Sequence, residues 1–175
     1  MARNVEIKVR VGDPDALRVR VETLSDVPVE VLDQEDVFFC VPRGRVKLRT
    51  SPDGRGELIA YDRPDDPGPA VSDYHLLRTD NPDGLKSFLS DLFGVRGVVR
   101  KRRLLYLTGQ TRVHLDEVDG LGAFLELEVV LRDGQSEEEG ARIAADVLET
   151  LGIADEDQVA RAYIDLLEES RESTH

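Results

Sequence analysis

The stretch "NVEIKVR", residues 4–10, alternates without a break: Asn4, Glu6, Lys8 and Arg10 are polar or charged, and Val5, Ile7 and Val9 between them are apolar. Successive side chains of a β-strand point to opposite sides of its sheet, so this pattern predicts a strand with one apolar and one charged face. Working outward, the same alternation returns along most of the chain. "DVFFCV" (36–41) passes through "PRG" into "RVKLRT" (45–50), where Arg45, Lys47 and Arg49 share a face. "ELIAYDR" (57–63) is expected to pair with "VSDYHLL" (71–77) across the loop "PDDPGP" (64–69), the expected mobile segment. "GVVRKRRLLYLT" (97–108) and "TRVHLDEV" (111–118) flank Gly109-Gln110 as a hairpin, and "AFLELEVVLR" (123–132) completes eight expected strands.

Helices interrupt this meander where start signals occur. Asp13-Pro14 opens one to about Leu24, and Asn81-Pro82 opens another that ends before Gly94. Ser136 and Glu139 form a capping-box pattern for a third, with Gly152 placed as its C-terminal glycine. A fourth is expected from about Asp157 to Glu168, with Val159, Ala162, Tyr163, Leu166 and Leu167 on one stripe and "ESRESTH" (169–175) as a frayed tail. On that stripe Tyr163 reads as core. The acidic run 137–139 reads as charge complementing a helix dipole. No internal repeat or linker is visible, so residues 1–175 are expected to form one domain.

Composition narrows the function classes. Of 175 residues 40% are hydrophobic, enough for a core, and the formal net charge is −13. Such acidity argues against general affinity for nucleic acid or an anionic membrane. An anion-binding site would therefore have to be local. The lone Cys40 cannot form an internal disulfide and reads as a small core residue, and the first thirty residues hold no apolar run long enough for a signal or spanning helix. A cytoplasmic location is the expectation.

The charged faces raise the functional question. They carry Glu6 and Lys8, then Arg45, Lys47 and Arg49, then Lys101 and Arg103, then Arg112, His114 and Asp116, then Glu126 and Glu128. A wetted sheet face has no need to sort bases and acids by strand. If the strands close into a barrel with helices over the apolar outer surface, these faces line an interior. The expected class is therefore α+β: a closed antiparallel eight-stranded barrel, or tunnel, flanked by helices. A barrel of this size holds side chains or one small ligand, so a charged lining implies a bound anion, metal or water.

These residues resemble the CYTH superfamily, the triphosphate tunnel metalloenzymes. Glu6 and Lys8 match its E-x-E-x-K signature, with Asn4 standing where the first acid belongs; Lys47 and Arg49, Lys101 and Arg103, Arg112 with Leu115 and Asp116, and Glu126 with Glu128 follow in order. The likeness spans roughly residues 4–130, and the C-terminal "AYIDLL" is similar to that of bacterial class IV adenylate cyclase-like members. The resemblance implies a triphosphate substrate, ATP or another, bound with Mg²⁺ or Mn²⁺. It implies substrate contacts from Lys8, Arg45, Lys47, Arg49, Arg63, Lys101, Arg103, Arg112 and His114, with Lys8, Arg49 and Lys101 catalytic. Metal ligation falls to Glu6, Asp116, Glu126 and Glu128. Arginine forks and lysine point charges suit a polyphosphate, and carboxylates with phosphate oxygens suit Mg²⁺.

Several roles stay open at this level. His114 is either a phosphate contact or a histidine hydrogen-bonded among polar neighbours, Arg63 either a phosphate ligand or a rim residue, and Asp36 either an acid that orients a lysine or assists metal binding, or a strand-edge one. Formation of cyclic AMP and pyrophosphate from ATP is the first expected activity. Hydrolysis of tripolyphosphate, thiamine triphosphate or a nucleotide is the second. A non-catalytic nucleotide or polyphosphate sensor is the third, prompted by Asn4. Self-association as a homodimer is compatible with each.

Overall fold

The computed structural model describes residues 2–63, 68–154 and 157–173. Strand β1 (Ala2–Arg10), which holds the opening stretch, pairs on one side with β5 (Ala70–Thr79) and on the other with β8 (Gly122–Val130). From β5 the sheet continues through β4 (Gly56–Asp62), β3 (Arg45–Thr50) and β2 (Glu30–Phe39). From β2 it passes to β6 (Val95–Thr108) and β7 (Thr111–Val118), and β7 meets β8. Every pairing is antiparallel, and the eight strands close into a barrel in the order β1-β5-β4-β3-β2-β6-β7-β8.

Closure turns the alternation of the sequence inside out. Val5, Ile7 and Val9 point outward from β1, and with Leu125, Leu127 and Val129 of β8 they form a buried layer beneath helices α1 (Pro14–Leu24) and α3 (Glu137–Thr150). Leu17 and Val21 of α1 and Ala144 and Leu148 of α3 complete that layer. On the far wall, α2 (Pro82–Phe93) sets Leu89 against Val37, Phe39 and Leu48. The apolar core therefore lies between barrel and helices, and the barrel interior is left to polar side chains.

The caps behave as their chemistry dictates. Asp13, Asn81 and Ser136 each accept a hydrogen bond from a first-turn backbone N–H, and Glu139 reaches back to Ser136 N as a full capping box. Gly140 sits where α3 crosses β1: a Cβ there would meet Leu131 Cδ2 at 2.6 Å and Val5 Cγ2 at 2.7 Å.

One end of the barrel is stopped by helix α4 (Tyr163–Glu172). Ala162, Tyr163, Ile164 and Leu166 pack on Phe38, Val99, Val118 and Phe124, and Gly97 leaves the notch that Ile164 fills, since a Cβ there would stand 2.6 Å from Ile164 Cδ1. Before the helix, Gln158 bridges to Val9 and Val159 N donates to Lys8 O, which ties the approach to β1.

Several expectations change. The last helix begins at Tyr163 rather than near Asp157 and runs through Glu172, across residues expected to fray, because the preceding segment is held extended against β1. Strand β2 starts six residues before Asp36 and ends before Cys40, which is exposed and not a core residue. The expected mobile loop falls largely on 64–67, outside the described residues. No helix among the described residues is long and apolar enough to cross a membrane.

Candidate active site

The inward positions of the strands line a cavity of about 920 Å³. Its lining includes Lys8 from β1, Lys47 and Arg49 from β3, Lys101 and Arg103 from β6, and Arg63 just beyond β4. Across from these bases stand Glu6, Glu126 and Glu128, which strand register places side by side: Glu6 opposite Glu128 and Lys8 opposite Glu126. Four strands, and Arg63 just past the end of a fifth, thus deliver one cluster of opposed charges.

Asp36 organises the cationic wall. Its buried carboxylate accepts from Lys47 Nζ at 2.9 Å, from Arg49 Nε and Nη2 at 2.8 Å each, and from Lys101 Nζ at 3.3 Å. Burial would raise its pKa, but Arg49, Lys101 and Lys47 outweigh burial and hold it well below the usual carboxylate range. Three long side chains from two strands are thereby fixed toward the cavity. Of the two accounts open at the sequence level, the geometry gives Asp36 the orienting one.

Lys101 pays electrostatically for its place. Burial, helped by Arg103, Arg49 and Lys47 and opposed by Asp36, lowers its pKa to about 7. Lys8 and Lys47 are lowered for the same first reason. A bound polyanion favours the protonated lysine, so tripolyphosphate binding between about pH 7 and 8 should draw protons onto the protein. Isothermal titration in buffers of different ionisation enthalpy reads that uptake, and Lys101→Arg, which stays charged, should reduce it.

A second group surrounds Arg103, whose Nε and Nη2 donate to Asp116 at 2.7 and 2.6 Å while Nη2 also reaches Glu126 at 3.1 Å. Asp116 further accepts from Tyr163 OH at 2.8 Å. This engagement makes Asp116 the buried counter-ion of Arg103 and leaves it out of the cavity lining. Arg45, an expected substrate contact, donates to Asp165 of α4 at 2.8 Å and is likewise absent from the cavity lining. Glu6 lines the cavity but accepts from Arg63 Nη1 at 2.9 Å, and Arg63 Nη2 donates to Ala160 O at 3.1 Å. Burial first, then Glu128 and Glu126, raise the Glu6 pKa to about 7 against Arg63 and Lys8. Arg112 is at the wetter edge, 44% exposed and 3.5 Å from Glu128.

His114, Glu126 and Glu128 are the described residues whose ligand atoms converge for a metal ion, all within 4.8 Å of one another. Two carboxylates and an imidazole make a chemically reasonable divalent-cation set, so the residues present fit Mg²⁺ or Mn²⁺. Of the four expected metal ligands, Glu126 and Glu128 fall in this cluster beside His114, while Glu6 is engaged by Arg63 and Asp116 by Arg103.

Tyr163 was hidden in the helical stripe. Its ring packs edge-on to Phe124 at 5.0 Å between centroids, and Lys8 Nζ lies 4.0 Å above it, so one residue is both core and cavity wall. Tyr163→Phe should keep the packing and cost about 1 kcal/mol, since Arg103 still satisfies Asp116; chemical denaturation checks this.

This fold and lining define a class. The CYTH domain model matches residues 2–163, and the chain belongs to the CYTH domain family. It is similar to adenylate cyclase CyaB of Aeromonas hydrophila, 26% identical over 175 residues that span 95% of this chain and 89% of that protein. Among solved structures, the PH1012 protein of Pyrococcus horikoshii OT3 matches with a TM-score of 0.85 at 28% identity, covering 93% of this chain and 98% of its own. A Hippeastrum protein described as having a dominant triphosphatase activity matches with a TM-score of 0.68 at 16% identity, covering 95% and 96%, and shares the fold.

Proposed function

We propose that this chain is a divalent-metal-dependent enzyme acting on a triphosphate held in its tunnel, first as an adenylate cyclase that converts ATP to cyclic AMP and pyrophosphate. The observation that carries the reading is the convergence of Lys8, Lys47, Arg49, Arg63, Lys101 and Arg103 on one cavity of an otherwise acidic protein, facing Glu126, Glu128 and His114. A nucleoside triphosphate carries about four negative charges near neutral pH, and arginine forks with lysine point charges are the side chains that hold such a group in place. Lys47, Arg49 and Lys101, held by Asp36, address the phosphate oxygens; Arg103 and Lys8 stand between them and the carboxylates. Mg²⁺ or Mn²⁺ held by His114, Glu126 and Glu128 would neutralise phosphate oxygens as charge builds on the leaving group.

Phosphoryl chemistry asks little covalent work of the protein, so catalysis rests on positioning and charge. The stopper supports this, because Tyr163 and the backbone carbonyls of Ala160 and Arg161 fix Arg63 and Lys8 at the blind end. The relationship to a protein named adenylate cyclase favours cyclisation. A second reading, triphosphate hydrolysis, rests on the same cluster, because Lys47, Arg49, Lys101 and Arg103 address phosphate oxygens whichever phosphorus is attacked. Every described helix packs on the one barrel or stops it, which supports reading 1–175 as one domain. Incubation with ATP, tripolyphosphate and thiamine triphosphate, each with Mg²⁺ and Mn²⁺, tests the proposal by product. Cyclic AMP with pyrophosphate supports cyclisation, orthophosphate supports hydrolysis, and no turnover of any of them overturns the enzyme reading.

A further inference from the structure

The cavity lining changes character along its length. Toward the stopper its apolar side chains are Phe38, Val99 and Ala162, which belong to the contact with α4. The middle is the charged cluster. Toward the other end a second apolar group appears: Leu32 on β2, Leu105 on β6, and Ile59 opposite Leu76 on β4 and β5. In the ring of eight strands β5 and β6 stand four places apart either way, so Leu76 and Leu105 come from facing walls. Leu76 remains 43% exposed although it lines the cavity, so this apolar group is open to a ligand. Between it and the clamp lies Gln34, one inward position along β2 from Asp36, a step of about 7 Å. The buried Gln34 Oε1 accepts no hydrogen bond, a state it shares among the lining residues with Asn4 Oδ1, Arg63 Nε and His114 Nδ1. Arg63 and His114 sit among carboxylates, whereas nothing around Gln34 offers Oε1 a donor. Lys101, directly opposite across the ladder, turns its ammonium to Asp36, and Leu32 on the other side is apolar. A buried acceptor left unpaired is costly and calls for a partner.

We propose that the open end of the tunnel is a nucleobase subsite, in which Leu105 and Leu76 hold the faces of a purine and the Gln34 side chain reads its edge, making Gln34 the residue that selects adenine. The inference rests on the triphosphate reading above and extends it to the part of the substrate beyond the phosphates. A planar base is held by apolar or aromatic side chains on its faces and by a few polar groups on its edge, which is the composition of this end of the cavity. A carboxamide presents one acceptor and one donor group side by side, and adenine answers with its N6 amino group and N7. The N6 amino group supplies the donor that Oε1 lacks, and N7 accepts from Nε2. Inorganic tripolyphosphate fills the clamp alone and leaves both the apolar group and the amide unused. A nucleotide is therefore the better occupant of the whole cavity.

The test compares the binding of ATP, inosine triphosphate and tripolyphosphate to the full chain by isothermal titration, with Mg²⁺ and again with EDTA. Inosine triphosphate keeps the purine, the sugar and the phosphates but carries an oxygen where adenine has its amino group. ATP should bind at least about fivefold more tightly than inosine triphosphate, the lower bound for one bidentate base contact. Gln34→Leu should remove that preference, and tripolyphosphate, which has no base, separates a loss at the amide from a loss at the clamp. Leu76→Asp, at a position exposed enough to accept the charge, should weaken both nucleotides and keep their ratio. The comparison of ATP with inosine triphosphate needs no variant and stands if Gln34→Leu does not fold. Equal affinity for the two nucleotides overturns the proposal, as does a preference that survives in Gln34→Leu or failure to bind ATP in either condition. Tripolyphosphate bound as tightly as ATP sinks the subsite and leaves the triphosphate reading standing. An adenine preference that depends on Gln34, in a protein that turns over none of the triphosphates, sinks the enzyme reading and leaves the subsite standing.

Discussion

Replacing Asp36 with asparagine is expected to cost the folded protein about 3–5 kcal/mol, the usual penalty for removing one partner of a buried ionic cluster. The magnitude follows from what the carboxylate holds. Lys47, Arg49 and Lys101 all donate to it, and its side chain is 2% exposed, so little water can replace it. Asparagine keeps the shape but turns an amide donor toward three cations that already repel one another. An anion should repair much of the damage, because tripolyphosphate brings the missing charge to the same side chains. Urea denaturation with and without tripolyphosphate reads both effects: a large loss without it and a larger stabilisation by it than in the parent protein. Unchanged stability in Asp36→Asn would mean that these cations find other counter-ions and that Asp36 does not order the clamp.

Glu126→Gln is expected to lower metal-dependent turnover by at least about 100-fold, since loss of even an outer-shell partner of a metal ligand costs about 10–100-fold. Glu126 stands at the junction of the two halves of the site, 3.1 Å from Arg103, 3.5 Å from Lys8 and 3.5 Å from His114. Burial would raise its pKa, yet Arg103 and Lys8 hold it well below the usual carboxylate range, so the negative charge is present at every working pH. Glutamine matches its volume and keeps one acceptor for Arg103, which separates loss of charge from loss of packing. Raising the metal concentration should recover part of the activity. Full turnover in Glu126→Gln at limiting Mg²⁺ or Mn²⁺ would remove this carboxylate from the metal site.

How much of this was legible in the sequence follows from the period of the strands. Alternation at Val5, Ile7 and Val9 in β1, and at Leu125, Leu127 and Val129 in β8, is a property of single strands, so it marked the inward residues before any pairing was known. Closure followed because charged faces recurred on strand after strand while the opposite faces stayed apolar. Less legible were features that depend on partners distant in sequence. The first half of β2, "EVLDQED", carries too many charges to read as a strand, although Glu30, Leu32, Gln34 and Asp36 face the cavity. Arg45 shares its strand face with Lys47 and Arg49, and only the docking of α4 brings Asp165 to it and takes it off the cavity wall. Asp116 shares a face with His114, but Arg103 directly opposite it across the ladder captures its carboxylate. Tyr163 looked apolar because helical spacing reports a stripe, not the hydroxyl at its far end.

The central claim is that the barrel encloses a site for a triphosphate held by opposed bases and a metal. Thermal unfolding of the full chain titrated with tripolyphosphate, with and without Mn²⁺, tests it most directly. At a hundred times the dissociation constant the anion should add about 2.7 kcal/mol of stability, a rise in melting temperature of about 5–11 °C for a chain of this size. The rise should grow when metal is present and shrink in Arg49→Met and Lys101→Met. A melting temperature that does not move with tripolyphosphate, with metal or without it, would contradict the account.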